Sequence, residues 1–124
     1  DKTLDAATHS GRTLVVPALA ANRTITLPAP VAGQSYKLIY GGAAEEAENL
    51  ILLTPGNTNF FLGGIVHLDS NADNVSVYSN GSSNSSLTLT DFGVFEINVV
   101  AKDSTNYYIW GYQEGADVPA FADQ

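Results

Sequence analysis

Apolar and polar residues alternate at a period of two along most of this chain, and turn-forming residues interrupt the alternation at short intervals. Ile25 and Leu27 stand opposite Thr24 and Thr26, and Val75 and Val77 stand opposite Ser76 and Tyr78. Leu87 and Leu89 oppose Thr88 and Thr90, while Phe95, Ile97 and Val99 oppose Glu96 and Asn98. Successive side chains of an extended backbone point to opposite faces, so the pattern turns one face to a core and the other to water. Runs at 13–17, 24–27, 36–40, 50–54, 65–68, 75–78, 87–90, 95–100 and 107–112 therefore read as strands. The stretch 50–53, Leu-Ile-Leu-Leu, is apolar throughout and reads as a central strand covered on both faces.

Gly33, Gly41-Gly42, Pro55-Gly56-Asn57, Gly63-Gly64, Asp73-Asn74, Asn80-Gly81 and Asp91-Phe92-Gly93 separate these runs as turns. Short strands at roughly 8–12-residue spacing predict an all-β domain: an antiparallel sandwich or a small jelly-roll-like barrel of about eight or nine strands. The segment 42–49 reads as a single helical turn or a polar loop, and 80–86 as a flexible connection. Arg12-Thr-Leu-Val-Val-Pro-Ala18 echoes Arg23-Thr-Ile-Thr-Leu-Pro-Ala29, which suggests two adjacent strands with similar exits. Outside the β domain, 11–112, the expected organisation is an N-terminal arm over 1–10 and an acidic C-terminal arm over 113–124. A dozen extended residues reach about 40 Å, far enough to lie across a neighbouring subunit, with Val118 and Phe121 as apolar anchors.

The 124 residues suit one domain with a core of its own. No apolar run approaches the roughly 20 residues that span a bilayer, so the chain is expected to be soluble, with no membrane partner. With 13 acidic against 5 basic residues the net charge is −8, and the basic residues are scattered, which argues against nucleic acid as a ligand. Cysteine is absent, which excludes disulfides, thiolate metal sites and a Cys nucleophile.

Few residues offer chemistry. The two histidines, His9 and His67, lack metal-ligand spacing, and no Gly-x-Ser-x-Gly elbow positions a serine nucleophile. Asp69-Ser-Asn-Ala-Asp73 matches the first half of a calcium loop, but Asn74 and Asn80 stand where the loop needs Gly and Glu, so an Asx-rich turn is expected. Glu45, Glu46 and Glu48 read as a solvated polar loop. In Tyr107-Tyr-Ile-Trp-Gly-Tyr112, the side chains of Tyr108, Trp110 and Tyr112 share one face. That strip fits a core or subunit contact, or alternatively a platform for sugar rings.

Gly-Arg-Thr-Leu-Val-Val-Pro (11–17), Arg-Thr-Ile-Thr-Leu-Pro-Ala-Pro-Val-Ala-Gly-Gln-Ser-Tyr-Lys-Leu-Ile-Tyr (23–40) and Asn-Tyr-Tyr-Ile-Trp-Gly-Tyr (106–112) resemble the capsid decoration, or cement, proteins of tailed phages. The likeness spans roughly residues 8–112 and does not include the acidic C-terminal segment. It implies an all-β virion structural protein, often trimeric, seated on the major capsid protein at the outer surface of an icosahedral shell. It implies no catalytic residues and no cofactor or metal. Tyr108, Trp110, Tyr112, Val118 and Phe121 are then the candidate partner-interface residues. A receptor- or glycan-binding module, such as a fibre tip or adhesin domain, is the alternative. A small hydrolase would rest only on Ser, His and Asp residues that the sequence does not bring together.

Overall fold

The elements along the chain are β1 (Lys2–Thr3), α1 (Ala6–His9), β2 (Arg12–Val16), β3 (Arg23–Thr26), β4 (Ser35–Tyr40), β5 (Leu50–Leu53), β6 (Phe60–Asp69), β7 (Val75–Tyr78), β8 (Ser86–Leu89), β9 (Phe92–Ala101), β10 (Asn106–Gly115) and β11 (Ala120–Ala122). The computed structural model describes all 124 residues. One sheet has the order β1-β3-β5-β8-β11 and the other β2-β4-β9-β10-β6-β7; neither closes into a barrel, and together they make an all-β sandwich.

From β1 to β6 every connection crosses from one sheet to the other. Strands two apart in sequence thereby become neighbours running the same way: β1 with β3, β3 with β5, and β2 with β4. β10 is also parallel to β6. The sheets are thus mixed, which corrects the antiparallel expectation. Antiparallel pairing follows from hairpins, and here only β6–β7 and β9–β10 are consecutive strands paired in that way. The same crossing corrects the reading of the Arg-Thr echo. Its two copies, β2 and β3, lie in different sheets rather than side by side.

All nine strand runs form, and the alternation sets what they bury. Tyr36, Leu38, Phe61, Ile65, Phe95, Ile97, Val99, Tyr107 and Ile109 from one sheet meet Ile25, Leu50, Leu52, Leu87 and Leu89 from the other in a core of 19 buried apolar residues. Each large side chain so buried stabilises the fold by about 1.5–3 kcal/mol relative to exposure. Tyr107 ties the two layers together by donating its hydroxyl to the Pro28 carbonyl, 2.8 Å away. Its burial, with a further contribution from Tyr36, pushes the phenol well above its ordinary pKa. At one end Tyr40, Phe92 and Phe95 form an aromatic cluster with centroids 5.1–6.0 Å apart.

Several local expectations are corrected. Gly63-Gly64 lies inside β6, where Gly63 pairs with Ile109 and Gly64 with Tyr78, and Phe92-Gly93 opens β9, where Gly93 is passed over at a bulge against Glu114-Gly115. The segment 42–49 is a loop without helix, but Glu46 does not face water: it is buried, accepting from the Leu19 N–H at 2.6 Å and the Tyr40 hydroxyl at 3.2 Å. The loop 80–86 is organised by Asn80, whose Oδ1 accepts from the backbone N–H groups of Ser82, Ser83 and Asn84.

Both ends fold onto their own sandwich, which replaces the picture of free arms. Leu4 is buried, its N–H bonds the Thr26 carbonyl at 2.8 Å, and Asp5 caps α1 through the Thr8 N–H. β10 runs on to Gly115, and β11 then pairs with β8 at the edge of the five-stranded sheet. Phe121 sets its ring edge-on to Phe61, centroids 6.1 Å apart, and the Gln124 amide bonds the Thr54 and Ser85 carbonyls. These ends escape a periodicity reading because each packs a single large apolar residue, Leu4 or Phe121, and has a strand of two or three residues. We expect Phe121→Ala to lower unfolding stability by about 1–3 kcal/mol, and deletion of residues 120–124 to lower it further, in urea denaturation. Unchanged midpoints would show that this segment does not dock in solution.

Candidate functional site

The face of the six-stranded sheet that points away from the core carries the candidate site. β10 lies between β9 and β6, and its alternation buries Tyr107, Ile109 and Gln113 while Tyr108 and Trp110 remain 44% and 50% exposed. The ladder fixes their neighbours. Tyr108 stands between Val100 and Leu62, Trp110 opposite Asn98, and Tyr112 between Glu96 and Val66. Tyr112 itself is half-buried among them.

Gly111 makes this spacing achievable. Its φ of +142° is one that L side chains avoid, and a Cβ there would run into the Glu96 carbonyl oxygen on β9. With no side chain at 111, β9 and β10 stay closely paired through the middle of the strip.

Polar groups thread the aromatic surface. The Lys37 ammonium is 2.9 Å from Glu96 Oε1, and the Asn98 amide donates to the same oxygen at 3.4 Å. The Lys37 bond, followed by that from Asn98, holds the Glu96 carboxyl below its ordinary pKa. Lys102 sits 6.0 Å above the Tyr108 ring, a cation–π distance. Glu96, Asn98, Trp110 and Tyr112 line a shallow depression whose floor includes Gly64 and Val66.

The strip joins three of the five predicted interface residues: Tyr108, Trp110 and Tyr112. Val118 and Phe121 are not part of it. Val118 is exposed in the turn before β11, and Phe121 is occupied by its own core. In their place the same face of the sheet presents Val15, Val66 and Val94, all more than 40% exposed. For Val15 and Val94 the signal lies in the alternation itself, since each shares its phase with polar residues of its strand, Thr13 in one case and Glu96 and Asn98 in the other; β6 is apolar on the phase of Val66 and gives no such signal.

The remaining candidates for chemistry lie apart from the strip. His67 is fully buried on the inner face, with Nε2 3.3 Å from Asp69 Oδ2, and Asp69 Oδ1 accepts from the Asn71 and Ala72 N–H groups as an Asx turn. His9 lies against Asp5 across one turn of α1. No three His, Asp or Glu side chains converge as a metal-binding group. No protein-family model, curated protein or solved structure matches the chain.

One carboxyl pair gives a pH-dependent prediction. Gln113 donates to the Thr90 and Asp117 carbonyls at 2.8 and 3.0 Å, holding the loop of Asp91 against that of Asp117. The hydrogen bond with Asp117, then burial and the charges of Asp117 and Glu45, raise the Asp91 carboxyl above its ordinary pKa of 3.8. An acid raised in the folded state contributes stability that is complete below the unfolded value and is lost as pH rises through the raised one. Asp117→Asn removes that linkage and should therefore make the melting temperature fall less, or rise more, between pH 3 and pH 7 than it does in the parent chain. An equal shift at both values would rule out the shared proton as its cause.

Proposed function

We propose that this chain is a virion structural protein, a decoration or cement protein that binds the major capsid protein on the outside of an icosahedral phage head as a homotrimer, without catalysis. The observation that carries this reading is the open aromatic strip on the outer sheet face. Tyr and Trp held on a rigid strand, ringed by exposed valines, are the residue types that dominate protein–protein hot spots. The residues of the likeness, 11–17, 23–40 and 106–112, supply β2, β3, β4 and β10; of these, β10 carries the strip, β2 and β4 lie farther along the same sheet, and β3 belongs to the other. A protein that binds only the assembled lattice adds its binding free energy to the shell's stability. Trimerisation would let three modest contacts act as one attachment.

Cosedimentation with undecorated tailed-phage heads tests the reading. Trp110→Ala and Tyr108→Ala should each lower occupancy by about tenfold or more, with little change in melting temperature because both rings are half-exposed. Light scattering on the free protein should give three times 13.1 kDa. Full occupancy by both variants would refute attachment through the strip.

The depression beside Trp110 favours a second reading. A carboxylate, an amide and a phenol flank an exposed indole, a set able to hydrogen-bond sugar hydroxyls while the ring stacks on a sugar face. A glycan array should then show specific binding that Trp110→Ala abolishes; a blank array retires this alternative.

A further inference from the structure

The two sheets do not close over one another at the edge where β1 and β3 face β2, and a cleft of about 590 Å³ opens there. Leu4, Leu14, Val16, Leu19, Ile25 and Leu50 make its apolar lining. Its volume falls within the roughly 300–1,000 Å³ of small-molecule sites, and an apolar interior with a few charged groups at the mouth is their usual composition.

The charged groups are Asp1, Lys2 and Arg23, with His9 beside them. Arg23 pairs in register with buried Leu50, and Lys2 with buried Ile25. Residues paired across a ladder share a face, so both cations occupy positions on the core-facing side of the five-stranded sheet, where the alternation otherwise places apolar residues. The ion pairs of the protein are His9–Asp5, Lys37–Glu96, His67–Asp69 and Lys102–Asp103, which leaves Lys2 and Arg23 without a carboxylate partner. The acidic group beside them, Asp1, uses its Oδ1 to accept the Thr24 N–H at 2.9 Å. In a chain of net charge −8, two of the five basic side chains thus line this apolar cleft without an ion-pair partner.

We infer that this cleft binds an anionic amphiphile, with an alkyl chain along the Leu14–Ile25–Leu50 floor and a carboxylate between Lys2 and Arg23. The chain removes apolar lining from water, and the head group receives charge-assisted hydrogen bonds that a neutral head cannot match. The cleft borders β2, at the edge of the six-stranded sheet, whereas the aromatic rings stand on β10, so it stands or falls independently of capsid attachment.

Isothermal titration of the full chain with decanoate, 1-decanol and acetate tests the assignment. Decanoate should bind saturably at one site and raise the melting temperature, 1-decanol should bind about tenfold more weakly, and acetate should give no saturable heat. The double variant Lys2→Ala/Arg23→Ala changes only exposed side chains and should lose about tenfold in decanoate affinity with its melting temperature kept. Leu14→Trp, which fills the cleft, should block decanoate, whereas Trp110→Ala should leave its affinity unchanged. Absence of saturable decanoate binding would overturn the inference. So would equal affinity for decanol, or an unaltered affinity in the double variant.

Discussion

Tyr107 is the residue on which the geometry of the molecule turns. It sits fully buried in β10, and its hydroxyl reaches across the sandwich to the Pro28 carbonyl beyond the end of β3. A phenol in such a place needs a partner, and the bond it finds fixes the spacing and alignment of the two layers. Once Tyr107 points inward, the period of the strand sends Tyr108 and Trp110 outward. Core and candidate surface are therefore two consequences of one strand's phase, and a register slip of one residue in β10 would exchange them.

The crossing of the chain between sheets explains the other distinctive surfaces. Consecutive strands β1 to β6 never lie beside one another in one sheet, and the free edges are β1 and β11 in one sheet and β2 and β7 in the other. β1 has two residues, β7 four and β11 three, which leaves short free edges and little template for adventitious strand pairing. β2 is the longest of the edge strands, and the cleft with its unpaired Lys2 and Arg23 opens along it. Apolar surface is thus exposed in two separate places, one flat and aromatic, the other concave and rimmed with positive charge. Such surfaces suit different occupants: a broad macromolecular face or sugar ring for the first, an amphiphilic small molecule for the second.

Much of the strip was legible in the sequence because its residues share one strand. Tyr108, Trp110 and Tyr112 are separated by single residues, and two-residue periodicity suffices to put them on one face. Which face that would be, and whether another layer would cover it, depended on β9 and β6 flanking β10. The valines at 15, 66 and 94 come from three other strands and joined the strip only through the ladder. Glu46 illustrates the converse. Its neighbours Glu45 and Glu48 suggest a solvated loop, yet the N–H of Leu19, 27 residues away, and the Tyr40 hydroxyl claim its carboxylate. Val118 and Phe121 looked alike as apolar residues in an acidic tail. The short β8–β11 pairing separated them, leaving one in solvent and setting the other against Phe61.

By itself the sequence determined the all-β class, the positions of nine strands and the inward or outward phase of the alternating ones, because those properties depend on period-two sterics and local turn chemistry. The tertiary structure alone decided which strands became neighbours, that four of the pairings run parallel, that both ends dock, and that a cleft remains beside β2. The physical reason is that a strand's hydrogen-bonding edges are chemically alike along the whole chain. Its partner is chosen by how all the apolar faces can be buried at once, and no local stretch of residues contains that choice.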